Sequence, residues 1–254
     1  MKKALAILLA LLCVCGMAGC EKKDAGTLVI GLDDSFPPMG FRDESGNLVG
    51  FDIDLAKEAC ERMGYTPEFK PIDWDSKEME LNTGSIDLLW NGVTISESRA
   101  KEMLFTAPYV ANTQIILVRK DSGIATKADL AGKAVGLQAG SSAVDALYKD
   151  AETADSLKEV NEYADNMLAF LDLEIGRLDA VVVDVIVAGY YIRTSGKDFE
   201  ILDENFGAED FGVAMKLGNT ELLSKLQKTL DEMVKDGTAG KISQEWFGED
   251  VLIH

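Results

Sequence analysis

An α/β fold with mostly parallel sheets follows from three observations on this 254-residue chain. Short apolar or β-branched runs alternate with stretches of helical period. Glycine and proline punctuate the joints between them. The alternation also restarts near residues 111–115, so the chain passes through two successive α/β runs.

Thr27-Leu28-Val29-Ile30-Gly31 reads as a strand ending at glycine. Pro37-Pro38 then keeps residues 33–40 out of a helix. Phe51, Leu55, Ala59 and Met63 stand four apart on one helical face, with Asp52 or Asp54 able to cap its start and Gly64 its end. Residues 66–69 are a candidate strand, 76–82 a short helix closed at Gly84, and 86–90 a buried strand. Residues 114–119 and 134–137 are apolar strands. Asp165 caps a helix running to about Gly176, followed by a strand at 180–183 and a helix from Val185. Residues 211–215 are predicted as strand, 220–235 as helix and 240–247 as a last short helix. The chain shows neither a solenoid repeat nor a low-complexity tract.

The first twenty residues read as an export signal. Met1-Lys2-Lys3 is basic, Ala4 to Val14 is apolar, and Met17-Ala18-Gly19 leads into Cys20. The apolar run is too short for a spanning helix, which needs about 20 residues. The order resembles a bacterial lipoprotein signal with its lipobox at Met17-Ala18-Gly19-Cys20, which implies cleavage after residue 19 and lipid on Cys20. An ordinary cleaved signal with an incidental cysteine is the alternative. Residues 20–26 are then a lipidated polar tether.

The formal charge of -19 becomes more negative still once Lys2 and Lys3 are removed. Such a body repels nucleic acid and does not adhere to an anionic membrane through basic residues. Cys13 and Cys15 leave with the signal and Cys20 goes to lipid, so Cys60 is left with no disulfide partner and reads as a small buried hydrophobe. The only histidine is His254, which removes histidine-dependent acid–base chemistry and Ser-His-Asp triads. Neither a metal-ligand cluster nor a phosphate loop is present in the sequence, and no cofactor is called for.

Two segments carry candidate chemistry. In Asp87-Leu88-Leu89-Trp90-Asn91-Gly92-Val93-Thr94-Ile95-Ser96-Glu97-Ser98-Arg99, a buried strand passes through a polar loop into a helix begun by Ser96. Ligands of α/β sheets bind beyond strand carboxyl ends, which places Trp90, Asn91 and Thr94 at a site. Arg99 follows in the first helical turn, where a guanidinium can grip a carboxylate with two hydrogen bonds. In Gly136-Leu137-Gln138-Ala139-Gly140-Ser141-Ser142, a strand gives way to a helix start whose free N–H groups attract an anion. Asp184, at the end of the 180–183 strand, can hold an ammonium. Together these make the charge layout of a free α-amino acid. The competing reading pairs Arg99 with Glu97 or Glu102 and makes Asp184 a helix cap.

The chain resembles the family 3 extracellular solute-binding proteins, the polar amino-acid receptors of ABC importers. The resemblance rests on Gly31-Leu32-Asp33-Asp34-Ser35-Phe36-Pro37-Pro38-Met39, Gly50-Phe51-Asp52-Ile53-Asp54-Leu55-Ala56 and Asp87 through Arg99. It continues through Phe105-Thr106-Ala107-Pro108-Tyr109, Asp129-Leu130-Ala131-Gly132-Lys133-Ala134-Val135-Gly136, Gly176-Arg177-Leu178-Asp179-Ala180 and Trp246-Phe247-Gly248, in unbroken order.

It implies a type II periplasmic-binding-protein-like fold of two α/β lobes joined by two hinge strands. Residues 27–111 and 209–254 would form lobe 1 and residues 112–208 lobe 2. Arg99 would clamp the ligand carboxylate with the Ser142 hydroxyl and amide beside Ser141. Asp184, the Gly92 carbonyl and the Thr94 hydroxyl would hold the ammonium. Phe36 would pack over the ligand, and Asp33 would lie near its side chain or only cap the loop at Phe36. Trp74, Trp90, Asn91 and Gln138 are pocket candidates. Trp74 either lines the pocket or fills the core, and Asn91 stands where many members have serine or alanine.

The implied partners are a free amino acid, an ABC permease with its ATPase subunits, and the membrane through the lipid alone. The receptor would be a monomer without enzyme activity, on the outer face of the cytoplasmic membrane, or periplasmic if the cell has an outer membrane. Rival readings are an enzyme on the same fold, such as a dehydratase, and a ligand-sensing receptor subunit. Asn91, Thr94 and Gln138 lean towards a neutral polar ligand such as glutamine or cystine, whereas Asp33 keeps cationic ligands open.

Overall fold

The computed structural model describes residues 26–253. The expected signal, Cys20 and the tether up to residue 25 lie outside them. Among the described residues no helix is long and apolar enough to cross a membrane.

The chain begins with β1 (Thr27–Leu32), β2 (Ser35–Phe36), β3 (Gly40–Arg42), β4 (Leu48–Val49), α1 (Phe51–Met63), β5 (Thr66–Pro71), α2 (Lys77–Thr83), β6 (Leu88–Thr94), β7 (Met103–Phe105) and β8 (Val110–Arg119). It continues with β9 (Ala134–Gln138), α3 (Ser142–Lys149), α4 (Ala151–Ser156), β10 (Glu159–Tyr163), α5 (Asn166–Glu174), β11 (Ala180–Asp184), α6 (Val185–Ser195), β12 (Phe199–Lys216), α7 (Thr220–Lys235) and α8 (Thr238–Phe247).

One sheet runs through the molecule in the order β10-β9-β11-β8-β12-β6-β1-β5. Its two ends are parallel blocks, β5-β1-β6 and β10-β9-β11, each built by strand–helix alternation. Between them β8 and β12 pair antiparallel, from Arg119 opposite Phe199 to Val110 opposite Phe211. Beyond that ladder β12 pairs with β6 and β7. The result is two α/β lobes joined by two crossing strands, as the resemblance implies. The restart near residues 111–115 falls inside the unbroken strand β8. Register shifts in β12 between Ile201 and Gly207 interrupt the ladder, and such bulges let a strand bend.

Local sequence accounts for most elements. Helix α7 buries Leu222, Leu226, Thr229, Leu230 and Met233, a stripe of helical period. Helix α1 buries Phe51, Leu55, Ala59 and Met63, and Gly64 closes it in the left-handed conformation. Leu28 and Ile30 of β1 share one core cluster with both helices, while Ile116, Val135, Leu137, Leu147 and Val182 fill the second lobe. Cys60 is fully buried and free, and burial pushes its thiol up to about 11. Asp165 caps α5 by accepting from the Leu168 amide.

Several expectations are corrected. Neither Asp52 nor Asp54 caps α1: Gly50 occupies that position at φ 143°. A Cβ there would stand 2.2 Å from the Met39 carbonyl oxygen, so the loop leaves room for glycine alone. The strand expected at 86–90 runs instead from Leu88 to Thr94, and all seven residues are buried. Asn91, Gly92 and Thr94 are therefore strand residues, because β12 opposes Val93 and Thr94 with Gly212 and Phe211. The helix expected from Ser96 is a single 3₁₀ turn at Arg99–Lys101. The chain must extend again at once so that β7 can pair with β12. Most of β12 went unread, since its acidic residues 203–210 lack strand propensity and owe their pairing to β8.

Phe51 is fully buried, with the Tyr109 ring 6.4 Å away and the Phe247 ring edge-on at 5.1 Å. Phe51→Ala is expected to lower the urea-unfolding free energy by about 3–5 kcal/mol.

Candidate functional site

The carboxyl ends of β6, β9 and β11 converge on the β8/β12 ladder, the place where open α/β sheets bind ligands. Thr94 ends β6, Gln138 ends β9 and Asp184 ends β11. Among the described residues, hydrogen bonds between the lobes gather here. Gln138 Nε2 donates to Asp33 Oδ2 at 2.7 Å, and Thr94 Oγ1 lies 3.0 Å from Ser142 Oγ. Lys77 Nζ and Arg99 Nη2 both donate to the Gly140 carbonyl, at 2.8 and 3.1 Å. Asp33, Phe36, Thr94, Arg99, Gln138 and Asp184 are all buried, and Ser141 and Ser142 are half-buried.

Arg99 is only 8 % exposed, and among the described residues no carboxylate forms an ion pair with it. Its Nη1 donates to the Thr94 carbonyl at 3.3 Å, and neither Glu97 nor Glu102 engages it. Lys77, which sequence reasoning missed, shares the Gly140 carbonyl and pairs at 3.3 Å with Glu78. Burial, followed by the adjacent Arg99 charge, holds the Lys77 ammonium below its ordinary range. Two buried cations on one carbonyl oxygen make a place for an anion. A cavity of about 330 Å³ opens beside Arg99 and Ser141. The Ser141 hydroxyl turns back to the Gln138 carbonyl at 2.7 Å.

Negative charge gathers on the ladder side. Asp184 precedes α6, yet its side chain does not cap that helix. Its Oδ1 accepts instead from Asn112 Nδ2 at 2.6 Å and Gln114 Nε2 at 2.8 Å. Glu209 Oε1 accepts from the same two nitrogens at 2.7 and 2.9 Å, with Thr94 Oγ1 at 3.0 Å and Ser142 Oγ at 3.1 Å. Burial, then the Glu209 charge, raises the Asp184 carboxyl well above the carboxylate range. Sequence reasoning missed Asn112, Gln114 and Glu209. Two amides at i and i+2 in an otherwise apolar strand were a readable signal for the first two. Glu209 sits in an acid-rich stretch and gave none.

Asp33 both shapes its loop, accepting from the Ser35 amide at 2.8 Å, and links the lobes through Gln138. Burial raises its carboxyl to about 6 against those hydrogen bonds. Asn91 turns towards the same loop, its Oδ1 accepting from the Asp33 amide at 3.1 Å. Gly92 has φ +57°, and a Cβ on it would reach the Phe36 ring at 2.8 Å, so that ring lies directly on bare backbone. The Gly92 amide donates to Asp52 Oδ2 at 2.8 Å, and the Tyr109 hydroxyl donates to the same carboxylate. Asp52 is raised to about 7 by its burial.

The tryptophans stand apart from this cluster. Trp90 lies in the core with Phe51 and Tyr109, and Trp74 packs with Leu81, Leu89 and Val93 while Lys77 Nζ sits 5.4 Å from its ring.

The sequence profile of the bacterial extracellular solute-binding proteins, family 3, matches residues 28–249. The L-cystine-binding protein TcyJ of Escherichia coli (strain K12) is 34% identical over 231 residues, covering 90% of this chain and 85% of its own. A substrate-binding protein of an ABC uptake transporter from Streptococcus pneumoniae, solved with bound histidine, superposes with a TM-score of 0.87 at 38% identity, covering 90% of this chain and 95% of that one. An ancestral arginine-binding protein bound to arginine is 44% identical with a TM-score of 0.82, covering 89% and 100%.

The raised carboxyls set a pH dependence. Folded Asp33 and Asp52 hold their protons more tightly than the unfolded chain, whose carboxyls titrate near 3.8. Their stabilising contribution is full below that value and is lost as pH rises through about 6 and about 7. The thermal midpoint is expected to fall between pH 4 and about pH 7, and in Asp52→Asn the upper part of that fall should flatten in a calorimetric pH series.

Proposed function

The chain belongs to the bacterial extracellular solute-binding proteins of family 3, and we propose that it captures a free polar amino acid between its lobes and delivers it to the permease of an ABC importer. The observation that carries this reading is the buried Arg99, without a carboxylate partner among the described residues, set across the cleft from the buried Asp184 at the end of β11 and the half-buried Glu209 of β12. A zwitterion satisfies both ends at once. In this reading Arg99, with the Ser142 hydroxyl and amide next to Ser141, binds the carboxylate. Asp184, the Gly92 carbonyl and the Thr94 hydroxyl bind the ammonium, and Phe36 covers the ligand. Asp33 and Gln138 border the side chain, while Trp74, Trp90 and Asn91 support the wall from behind. Residues 27–111 with 209–254 move as one lobe and 112–208 as the other.

A neutral polar side chain, as in glutamine or cystine, fits best. The Asp33 carboxylate, the acid that would attract a cationic side chain, already accepts from Gln138 and Ser35. The cystine-binding relative supports that choice, whereas the relatives solved with histidine and arginine support a cationic ligand. The protein works as a binding protein and not as an enzyme, a monomer held outside the cytoplasmic membrane by lipid on Cys20.

Energetics require closure. An amino acid of about ten heavy atoms held at ~1 µM needs about -8.2 kcal/mol, roughly -0.8 per atom, inside a ceiling of about -1.5. Charge pairs supply this only where water is excluded, which two closing lobes achieve. The ligand then shifts the open–closed equilibrium, and the closed form is what the permease reads.

In a thermal-shift screen of residues 21–254 against the common amino acids and cystine, one chemical class should raise the midpoint by about 5–10 °C at 100 times its Kd. No response to any of them overturns the receptor reading. Arg99→Ala should abolish that response while its circular dichroism stays unchanged; retained micromolar binding overturns the clamp. Cys20→Ser in the full chain should move the protein from the membrane fraction to the soluble fraction of the cells that express it.

A further inference from the structure

Two carboxylates, not one, face the position proposed for the ammonium. Asn112 Nδ2 stands 2.6 Å from Asp184 Oδ1 and 2.7 Å from Glu209 Oε1, and Gln114 Nε2 stands 2.8 and 2.9 Å from the same two oxygens. Shared amide nitrogens bring the two acids together across a buried spot. Neither acid forms an ion pair among the described residues. The amide oxygens of the same two side chains, Asn112 Oδ1 and Gln114 Oε1, are buried and accept no hydrogen bond. Asn112 is 3 % exposed and Gln114 fully buried. The spot holds a surplus of acceptors and lacks a cationic donor.

Charged neighbours do not supply one. Arg99 is committed to the Thr94 and Gly140 carbonyls. A cavity of about 700 Å³ adjoins Glu209, and its wall carries Lys101 and Lys149 together with Glu97, Asp145 and Asp210. Neither lysine donates a hydrogen bond or ion pair to Glu209 or Asp184. From β6, β8 and α3 the groups that touch the pair are the neutral Thr94, Asn112, Gln114 and Ser142. Burial of Asp184, and then the Glu209 charge beside it, raise its carboxyl to about 8, so Asp184 keeps its proton at neutral pH in the empty molecule.

We propose that Glu209 is a second carboxylate of the ammonium site, and that an incoming ammonium replaces the proton which Asp184 holds beside Glu209 in the empty molecule. This rests on the amino-acid receptor reading. The exchange balances: the ligand enters as an ammonium with its own protons, and the Asp184 proton leaves to solvent. No covalent bond other than that O–H bond changes. Glu209 also bridges β12 to Thr94 of one lobe and Ser142 of the other, so the exchange takes place where the lobes meet the hinge.

Calorimetric titration of ligand-stripped residues 21–254 at about pH 7 tests this, with L-glutamine, L-cystine and L-arginine as probes in phosphate and in Tris, buffers of low and high ionisation enthalpy. The α-ammonium of each probe stays protonated there, so a buffer-dependent heat reports protons released by the protein. The expected result for the native chain is close to one proton released per amino acid bound. Glu209→Gln should bind the same probe about tenfold more weakly and release fewer protons, since burial alone still raises Asp184. Heats independent of buffer in the native chain, or undiminished proton release from Glu209→Gln, overturn the proposal and leave the receptor reading standing. Absence of binding by every probe overturns both. If the variant folds poorly, the native chain still tests the exchange, because buffer-independent heats overturn it.

Discussion

The antiparallel ladder between β8 and β12 is the constraint on which the rest of the molecule depends. Each parallel block needs a further strand to pair its inner edge, and the ladder supplies one to each: β8 to β11, and β12 to β6. Without it both blocks would expose unpaired backbone along an edge. The same ladder fixes where the strand ends of the two lobes meet, and it carries Asn112, Gln114 and Glu209 into that meeting point. Hinge and site are therefore one piece of backbone.

Charge in the cleft is arranged opposite to the usual rule that buried ions are paired. Arg99 and Lys77 share a carbonyl, Asp184 and Glu209 share two amides, and the positive and negative groups remain apart. Each set is a local cost, because Arg99 and Asp184 are buried without a counter-ion and Glu78 is the only acid paired with Lys77 among the described residues. Such strain is what a binding site of complementary charge can relieve. The neutral hydroxyls of Thr94 and Ser142 lie where either set can be reached, and Gly92 allows Phe36 to sit against bare backbone.

Legibility divides along the range of the interactions. Helix α7 was readable because its apolar stripe is written within sixteen residues, and the turn at Gly64 because a left-handed end suits glycine. Arg99, Thr94, Ser142 and Asp184 were found as candidates because their side-chain chemistry and their place after a strand are local properties. Their gathering was visible only through the family resemblance. The continuation of β6 through Asn91 and Gly92 was not readable, since polar residues look like a loop until β12 pairs with them.

By itself the sequence determined the lobes' α/β alternation, the acidic body, the absence of histidine chemistry and the identity of the charged candidates. Only the tertiary structure decided that Asp52 supports Gly92 instead of capping α1, that Trp90 belongs to the core, and that Glu209 joins Asp184. The physical reason is the same in each case. Periodicity and side-chain chemistry are properties of neighbouring residues, whereas a partner brought from the far end of the chain by strand pairing leaves no mark on the residues beside it.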